Sequence, residues 1–372
     1  MIPECRLNGY TVLTREPHWE TVTAGRSTPV INAFAANLPL VLLLAGIAVS
    51  IAVIVQGANL FVDESVRLAL RRGVPQVLVG ATIVSLGTTL PEVAVSSAAA
   101  LSGTPDVALG NAVGSIICNI GLILAVALLI RPPTFNRASV NLHGRIQLAT
   151  VLLLVLSVLL VRTPDGGARI PRAVGAGYLL LLAGYLALAV RLSQRGTVLP
   201  ALAESAVTDP PNEAEGAPEH PWVAGLRLIG GALLVAGGSR VLVPMVQESA
   251  LRLGVPEGVV AATIVALGTS VPELATAITA SRKGHGELAL GNVMGANILN
   301  VLFVVGAASS LVPGGLVVSN YGVTRLLPAA LALTMVLRIG VLVSRRKLGR
   351  ILGLTLLAGF VFVTISSYTG NW

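Results

Sequence analysis

Apolar residues in this chain come in long unbroken runs, where a soluble fold would show stripes or strict alternation. The runs at 38–62, 77–101, 106–130, 146–161, 173–191, 222–246, 258–280, 287–311, 325–343 and 350–367 each approach the ~20 residues a helix needs to cross roughly 30 Å of hydrocarbon. They predict an all-α polytopic membrane protein with ten transmembrane helices. A membrane β-barrel would need segments of about ten alternating residues, and these runs are continuous. Two stretches are polar instead. Residues 1–37, with Pro3, Pro17 and Pro29, read as a tail and lack the basic-then-apolar order of a signal peptide. Residues 192–221 contain "TDPPNEAEGAPEHP", the composition of a flexible linker, and divide the chain into five-span halves at 38–191 and 222–372.

Composition supports this class: 54% of the 372 residues are hydrophobic, 11% are charged and mean hydropathy is +0.83. The net charge of +8 does not point to nucleic acid, because most arginines sit in short connections on one side of the spans. Arg71, Arg72, Arg131, Arg137, Arg345 and Arg346 are among them. The positive-inside rule makes that side cytoplasmic, with both termini outside and the cell (inner) membrane as the location. Cys5 and Cys118 are too far apart in kind, one in the tail and one mid-membrane, to suggest a disulfide or zinc site; Cys118 reads as packing. The linker's acids lack an EF-hand spacing. Arg240 and Arg338 fall inside apolar runs; Arg240 reads as snorkelling to the nearer interface.

The halves are related. "GVPQVLVGATIVSLGTTLPEVAVSSAAALSGTPDVALGNAVGSIICN", from Gly73, aligns without a gap to "GVPEGVVAATIVALGTSVPELATAITASRKGHGELALGNVMGANILN", from Gly254, at a constant offset of 181, with 23 identities in 47 positions. The repeats, 73–130 and 254–311, each cover two spans. Because five spans separate them, the copies enter the membrane from opposite sides: an inverted repeat, which in secondary transporters places the substrate site at the midplane.

Each copy carries a carboxylate where one is costly. Glu92 and Glu273 are the carboxylates deep within predicted spans, and an ionisable group there costs at least ~3 kcal/mol on insertion scales unless it is paired or functional. No Lys or Arg lies at comparable depth in these helices, so a bound cation is the natural partner. Thr88, Thr89 and Pro91 precede Glu92, as Thr269, Ser270 and Pro272 precede Glu273. The prolines should open the helix at the Gly87 and Gly268 carbonyls, and the glycines should leave room for an ion. The third and eighth spans add Asn111, Ser115, Asn119, Asn292, Asn297 and Asn300 as neutral oxygens. Calcium takes six to eight hard oxygens and sodium accepts similar ones, whereas soft metals favour His and Cys. His18, His143, His220 and His285 all fall outside the predicted spans.

With "GTTLPE", "GTSVPE", "GNAVGSIICN" and "GNVMGANILN", the chain resembles the sodium/calcium exchangers of the calcium/cation antiporter superfamily. The resemblance implies two inverted five-helix repeats and cation binding by Glu92, Glu273, Thr88, Thr89, Ser115, Asn119, Thr269 and Ser270, with backbone carbonyls near Ser85 and Ala266. Asn300 is included in the candidate set. Many sodium-coupled members have an acidic residue at the position of Asn300 and a serine at that of Ala296. The reading is a secondary active antiporter and not an enzyme. It needs no cofactor, exchanges calcium for sodium by alternating access as the first and sixth helices slide, and has membrane lipid and inorganic cations as partners. A monomer suffices for transport, and the oligomeric state is left open. Proton/calcium exchange is the alternative.

Overall fold

The computed structural model describes residues 6–7, 10–11, 34–164, 166–194, 221–253, 268–344 and 347–369. Most of the tail and of the linker, and Ala266, lie outside the described residues. Among the described residues the longer helices run in order α1 Leu40–Arg72, α2 Gln76–Leu101, α3 Pro105–Ile130, α4 Arg137–Leu160, α5 Arg172–Gln194, α6 Pro221–Arg252, α7 Val271–Arg282, α8 Gly286–Leu311, α9 Gly322–Val343 and α10 Arg350–Thr369. Among the described residues nine are long and apolar enough to cross a membrane. The exception is α7, because the run at 258–280 is described only from Gly268 onward. Two short antiparallel pairs complete the secondary structure: β1 Arg6–Leu7 with β2 Tyr10–Thr11, and β3 Ala168–Ile170 with β4 Leu316–Val318. The second pair ties the α4–α5 connection to the α8–α9 connection.

Two spans depart from the hydropathy reading. α1 runs ten residues past 62, to a left-handed Gly73 with Arg71 and Arg72 in its last turn, where cations complement the helix dipole. Its Glu64 is therefore not at a wet end. It is buried between Arg67 (3.0 Å) and Arg227 of α6 (3.5 Å). α4 begins nine residues before 146, capped by the Asn136 side chain, which accepts from the Ala138 and Ser139 N–H groups. His143, expected outside the spans, thus lies inside α4, buried, with Nδ1 on the Ser139 carbonyl and its ring edge-on to Tyr185. Polar residues facing protein neighbours lower the hydropathy of a helix without ending it.

The helices form an inner and an outer group. Of the span windows, 94% of α8, 72% of α3 and 56% of α2 is buried, against 22% of α1 and 11% of α10. Outer helices present Leu180, Val343 and Ile351 to the surroundings, as a lipid-facing belt does. Lipid offers no hydrophobic drive for helix association, so close packing and interhelical hydrogen bonds hold such a bundle. The α2–α8 crossing shows this. A side chain at Gly291 would run into the Val77 carbonyl, and a methyl at Gly295 would lie 2.5 Å from Ala81 Cα and 2.6 Å from Ser85 Oγ.

α1 and α6 form a long pair of their own, packed through Ile54, Ala58 and Val235. Against the inner group they rest on apolar contacts at the two predicted helix-breaking glycines. A methyl at Gly87 would meet Phe61 of α1 at 3.0 Å, and one at Gly268 would meet Val243 of α6 at 2.8 Å. The open face of each glycine is filled by a neighbouring helix and not left for an ion. One ion pair, Lys283 to Asp63 at 2.8 Å, links α1 to the α7–α8 connection.

Gly291→Val should therefore lower the apparent melting temperature of the purified protein, by the ~1–3 kcal/mol typical of overpacking. Gly184→Ala on α5, where a methyl meets no described atom within 4 Å, should leave it near wild type.

Candidate functional site

The repeat seen in the sequence is also a repeat of local structure. α3 is built of Pro105–Cys118, a π-helical turn Asn119–Leu124, and Ala125–Ile130. α8 is built of Gly286–Leu299, a π-helical turn Asn300–Val305, and Gly306–Leu311. All three boundaries differ by 181 residues. Asn119 and Asn300 each open a π-helical turn, a distortion often found at functional sites. The prolines act differently in the two copies. Pro91 sits within a continuous helix, Ser85–Leu101, preceded by a π-helical turn at Gly80–Val84. Pro272 occupies the first turn of α7, after a turn at Thr269–Ser270, where the missing N–H costs nothing. The expected opening thus appears in the second copy, and in the first the helix runs through its proline.

α2, α3, α7 and α8 each touch the other three, and their polar side chains meet between them. Thr88 Oγ1 donates to Asn292 Oδ1 at 3.4 Å and to the Ser85 carbonyl at 3.3 Å. Thr269 Oγ1 donates to Asn111 Oδ1 at 3.0 Å. These two cross-links are related by the repeat offset, so each copy's threonine holds the other copy's asparagine. The asparagine amides then return to their own halves, Asn292 to Thr276 Oγ1 at 3.0 Å and Asn111 to Ser96 Oγ at 2.9 Å. Ser85 Oγ donates to the Thr82 carbonyl at 3.1 Å.

The symmetry fails at two places. Ser270 Oγ donates to Ser115 Oγ at 3.3 Å; the counterpart pair would be Thr89 with residue 296, but Ala296 has no hydroxyl. Asn119 donates to Asn297 Oδ1 at 3.1 Å, and the counterpart of Asn297 is Ile116. Thr89 lies near the Glu273 carboxyl yet its Oγ1 makes no hydrogen bond of good geometry.

Glu92 and Glu273 are 0% and 1% exposed and close enough to repel one another. Among the described residues neither has an ion pair. Both Glu92 oxygens, Glu273 Oε2, Thr89 Oγ1, Asn119 Oδ1 and Asn300 Oδ1 are buried without a hydrogen-bond partner. A buried polar atom left so costs about 1–3 kcal/mol, more when charged. The Thr88 and Thr89 hydroxyls face the Glu273 carboxyl, and Asn297 Nδ2 is likewise buried without a partner; two carboxylates among so many oxygens fit a hard cation. Among the described residues no group of three or more His, Cys, Asp or Glu forms.

Thus the structure brings Ser85, Thr88, Thr89, Glu92, Ser115, Ser270 and Glu273 together, ties Thr269 to Asn111 and Asn119 to Asn297, and buries Asn300 at the start of the π-helical turn of α8; Ala266 is outside the described residues. Sequence reasoning did not single out Ser96 and Thr276, which anchor the asparagines. Their signal was helical spacing, four residues after Glu92 and three after Glu273. Cys118, read as packing, lies beside Ser270 and in the field of both carboxylates, on the helix face that carries Ser115.

The sodium/calcium exchanger protein profile matches residues 42–191 and 223–369. The chain belongs to the sodium/calcium exchanger family. It is 32% identical to the putative antiporter CaxA of Alkalimonas amylolytica, over 85% of this chain and 95% of the relative. It is 35% identical to the inner membrane protein YrbG of Escherichia coli (strain K12), over 72% and 79%. The solved structure of the sodium-calcium exchanger NCX_Mj soaked with sodium and strontium superposes with a TM-score of 0.70 at 26% identity, over 90% of this chain and all of that one. The protein is an integral membrane secondary transporter of inorganic cations.

Ala296→Ser should give Thr89 the partner that Ser115 gives Ser270. A hydrogen bond worth ~1 kcal/mol corresponds to about a fivefold change in an equilibrium. The variant should be more stable in cation-free buffer, as measured by thermal melting, and Thr89→Ala should remove the gain.

Proposed function

We propose that the protein exchanges calcium for sodium by alternating access, at one site built by Glu92, Glu273 and the surrounding neutral oxygens. The observation that carries this reading is the pair of buried carboxylates with partnerless oxygens around them and, among the described residues, no protein cation paired with either. Two carboxylates neutralise one calcium ion, and its six to eight ligands are available from Thr88, Thr89, Ser115, Asn119, Ser270, Asn300 and the backbone near Ser85. Sodium competes for the same oxygens. An empty site leaves two like charges buried and facing each other, which is costly, so passage between states favours the loaded protein.

Two inverted repeats supply the alternation. Access changes as α1 and α6 slide on their apolar contacts at Gly87 and Gly268, where no hydrogen bond among the described residues has to break. The name of the sodium-calcium exchanger NCX_Mj supports sodium/calcium exchange, that of CaxA supports antiport, and that of YrbG supports the inner membrane. Arginines in the connections set both termini outside. A second reading, proton/calcium exchange, is favoured by one observation: Asn300 is neutral, so the site has two carboxylates lying against each other, a pair suited to sharing a proton.

Calcium-45 uptake into proteoliposomes, driven separately by a sodium gradient and by a pH gradient, tests the proposal. Uptake should follow sodium; uptake that ignores sodium and follows pH would replace it with the proton reading. Glu92→Gln and Glu273→Gln should each weaken calcium binding at least about 30-fold, the equivalent of the ~2 kcal/mol lower bound for breaking a buried charge interaction. Asn300→Asp should steepen the sodium dependence of uptake, read as a higher Hill coefficient for sodium.

A further inference from the structure

Arg338 belongs to no part of the cation site, yet it is a charged side chain only 9% exposed within α9. Its Nη1 donates to Asn141 Oδ1 of α4 at 2.8 Å, and Gly144 makes room for it, since a methyl there would lie 3.2 Å from Nη1. Arg145, one residue on, is close enough to repel it. Among the described residues no carboxylate pairs with either arginine, and Glu287, at the same end of α8, is taken up by the Asn136 backbone N–H. An unpaired guanidinium inside a membrane span is costly and calls for a partner; here two stand together.

Their position shows what that partner is. Arg145 is exposed on the same face of α4 as Ala149, Leu152 and Leu156, the face turned to lipid. α4 starts at this interface, and helical side chains lean toward the N-terminus, so Arg145 reaches back toward the headgroup level. On α9, Met335 and Ile339 are exposed beside Arg338. Arg137, exposed at the start of α4, donates to the Leu342 carbonyl and adds a third guanidinium at the mouth. An apolar track thus leads along α4 to a cluster of arginines that, among the described residues, no carboxylate pairs with.

We propose that Arg145 and Arg338, with Arg137 at the rim, bind the phosphate of an anionic lipid headgroup, whose acyl chain lies along Leu152 and Leu156. Basic pockets between transmembrane helices hold such headgroups elsewhere. The guanidinium plane suits bidentate contact with phosphate oxygens, and the site does not depend on the coupling ion.

Native mass spectrometry of the full-length, delipidated protein, supplied with phosphatidylglycerol or with phosphatidylcholine, tests this without a transport assay. Phosphatidylglycerol should be retained preferentially, and Arg145→Gln should weaken retention about fivefold, the factor that corresponds to roughly 1 kcal/mol per basic residue near an anionic surface. Arg338→Gln should do at least as much; because Arg338 is buried, its melting curve is measured alongside, and exposed Arg145 provides the independent variant. Equal retention of the two lipids, or wild-type retention by Arg145→Gln, would overturn the proposal. Complete displacement of phosphatidylglycerol by millimolar inorganic phosphate would also overturn it, in favour of a free anion.

Discussion

The structure turns on two carboxylates placed side by side in the driest part of the bundle. Glu92 and Glu273 are buried, repel each other and, among the described residues, have no ion pair. No arrangement of this kind is stable by itself, and the rest of the inner group reads as a response to it. Four helices converge, asparagines and threonines tie them across the repeats, and close backbone crossings such as that of α2 with α8 keep the surrounding framework from relaxing. Stability lost at the carboxylates is recovered in packing and hydrogen bonds around them.

Near-symmetry is informative where it fails. The Thr88–Asn292 and Thr269–Asn111 links repeat at the same offset, and so do the π-helical turns of α3 and α8. The departures cluster in α8: alanine at 296 opposite Ser115, and asparagine at 297 opposite Ile116 in the other copy. One half of the site is therefore richer in hydroxyls than the other, a difference that matters more for a small cation counted ligand by ligand than for calcium held by charge.

Much of this was legible in the amino-acid sequence. A carboxylate after a glycine, hydroxyls and a proline, repeated at a fixed offset in apolar runs, has few readings, and it picked out Glu92 and Glu273, which the structure buries beside each other. Helix ends were less legible. Hydropathy scores a residue as though it faced lipid, so the start of α4, where His143 is buried, read as a connection, and the last turns of α1, where Glu64 is paired, read as outside the span. The roles of Gly87 and Gly268 were not legible either, because a glycine's spacing does not say which neighbour fills the space; Phe61 and Val243 come from distant segments. The prolines had the same local sequence but different outcomes, continuous helix at Pro91 and first turn at Pro272, a difference set by tertiary context.

The cross-repeat hydrogen bonds have a consequence for energetics. They hold the oxygen donors to one another within α2, α3, α7 and α8, while α1 and α6 meet that group through apolar side chains at Gly87 and Gly268 and through the Lys283–Asp63 ion pair at its edge. A cage braced in this way keeps its ligand set, and a secondary transporter draws its energy from the ions it carries. The protein then carries no built-in arrow: the direction of net movement is set by the ion concentrations and the voltage across the bilayer, and the same molecule runs either way.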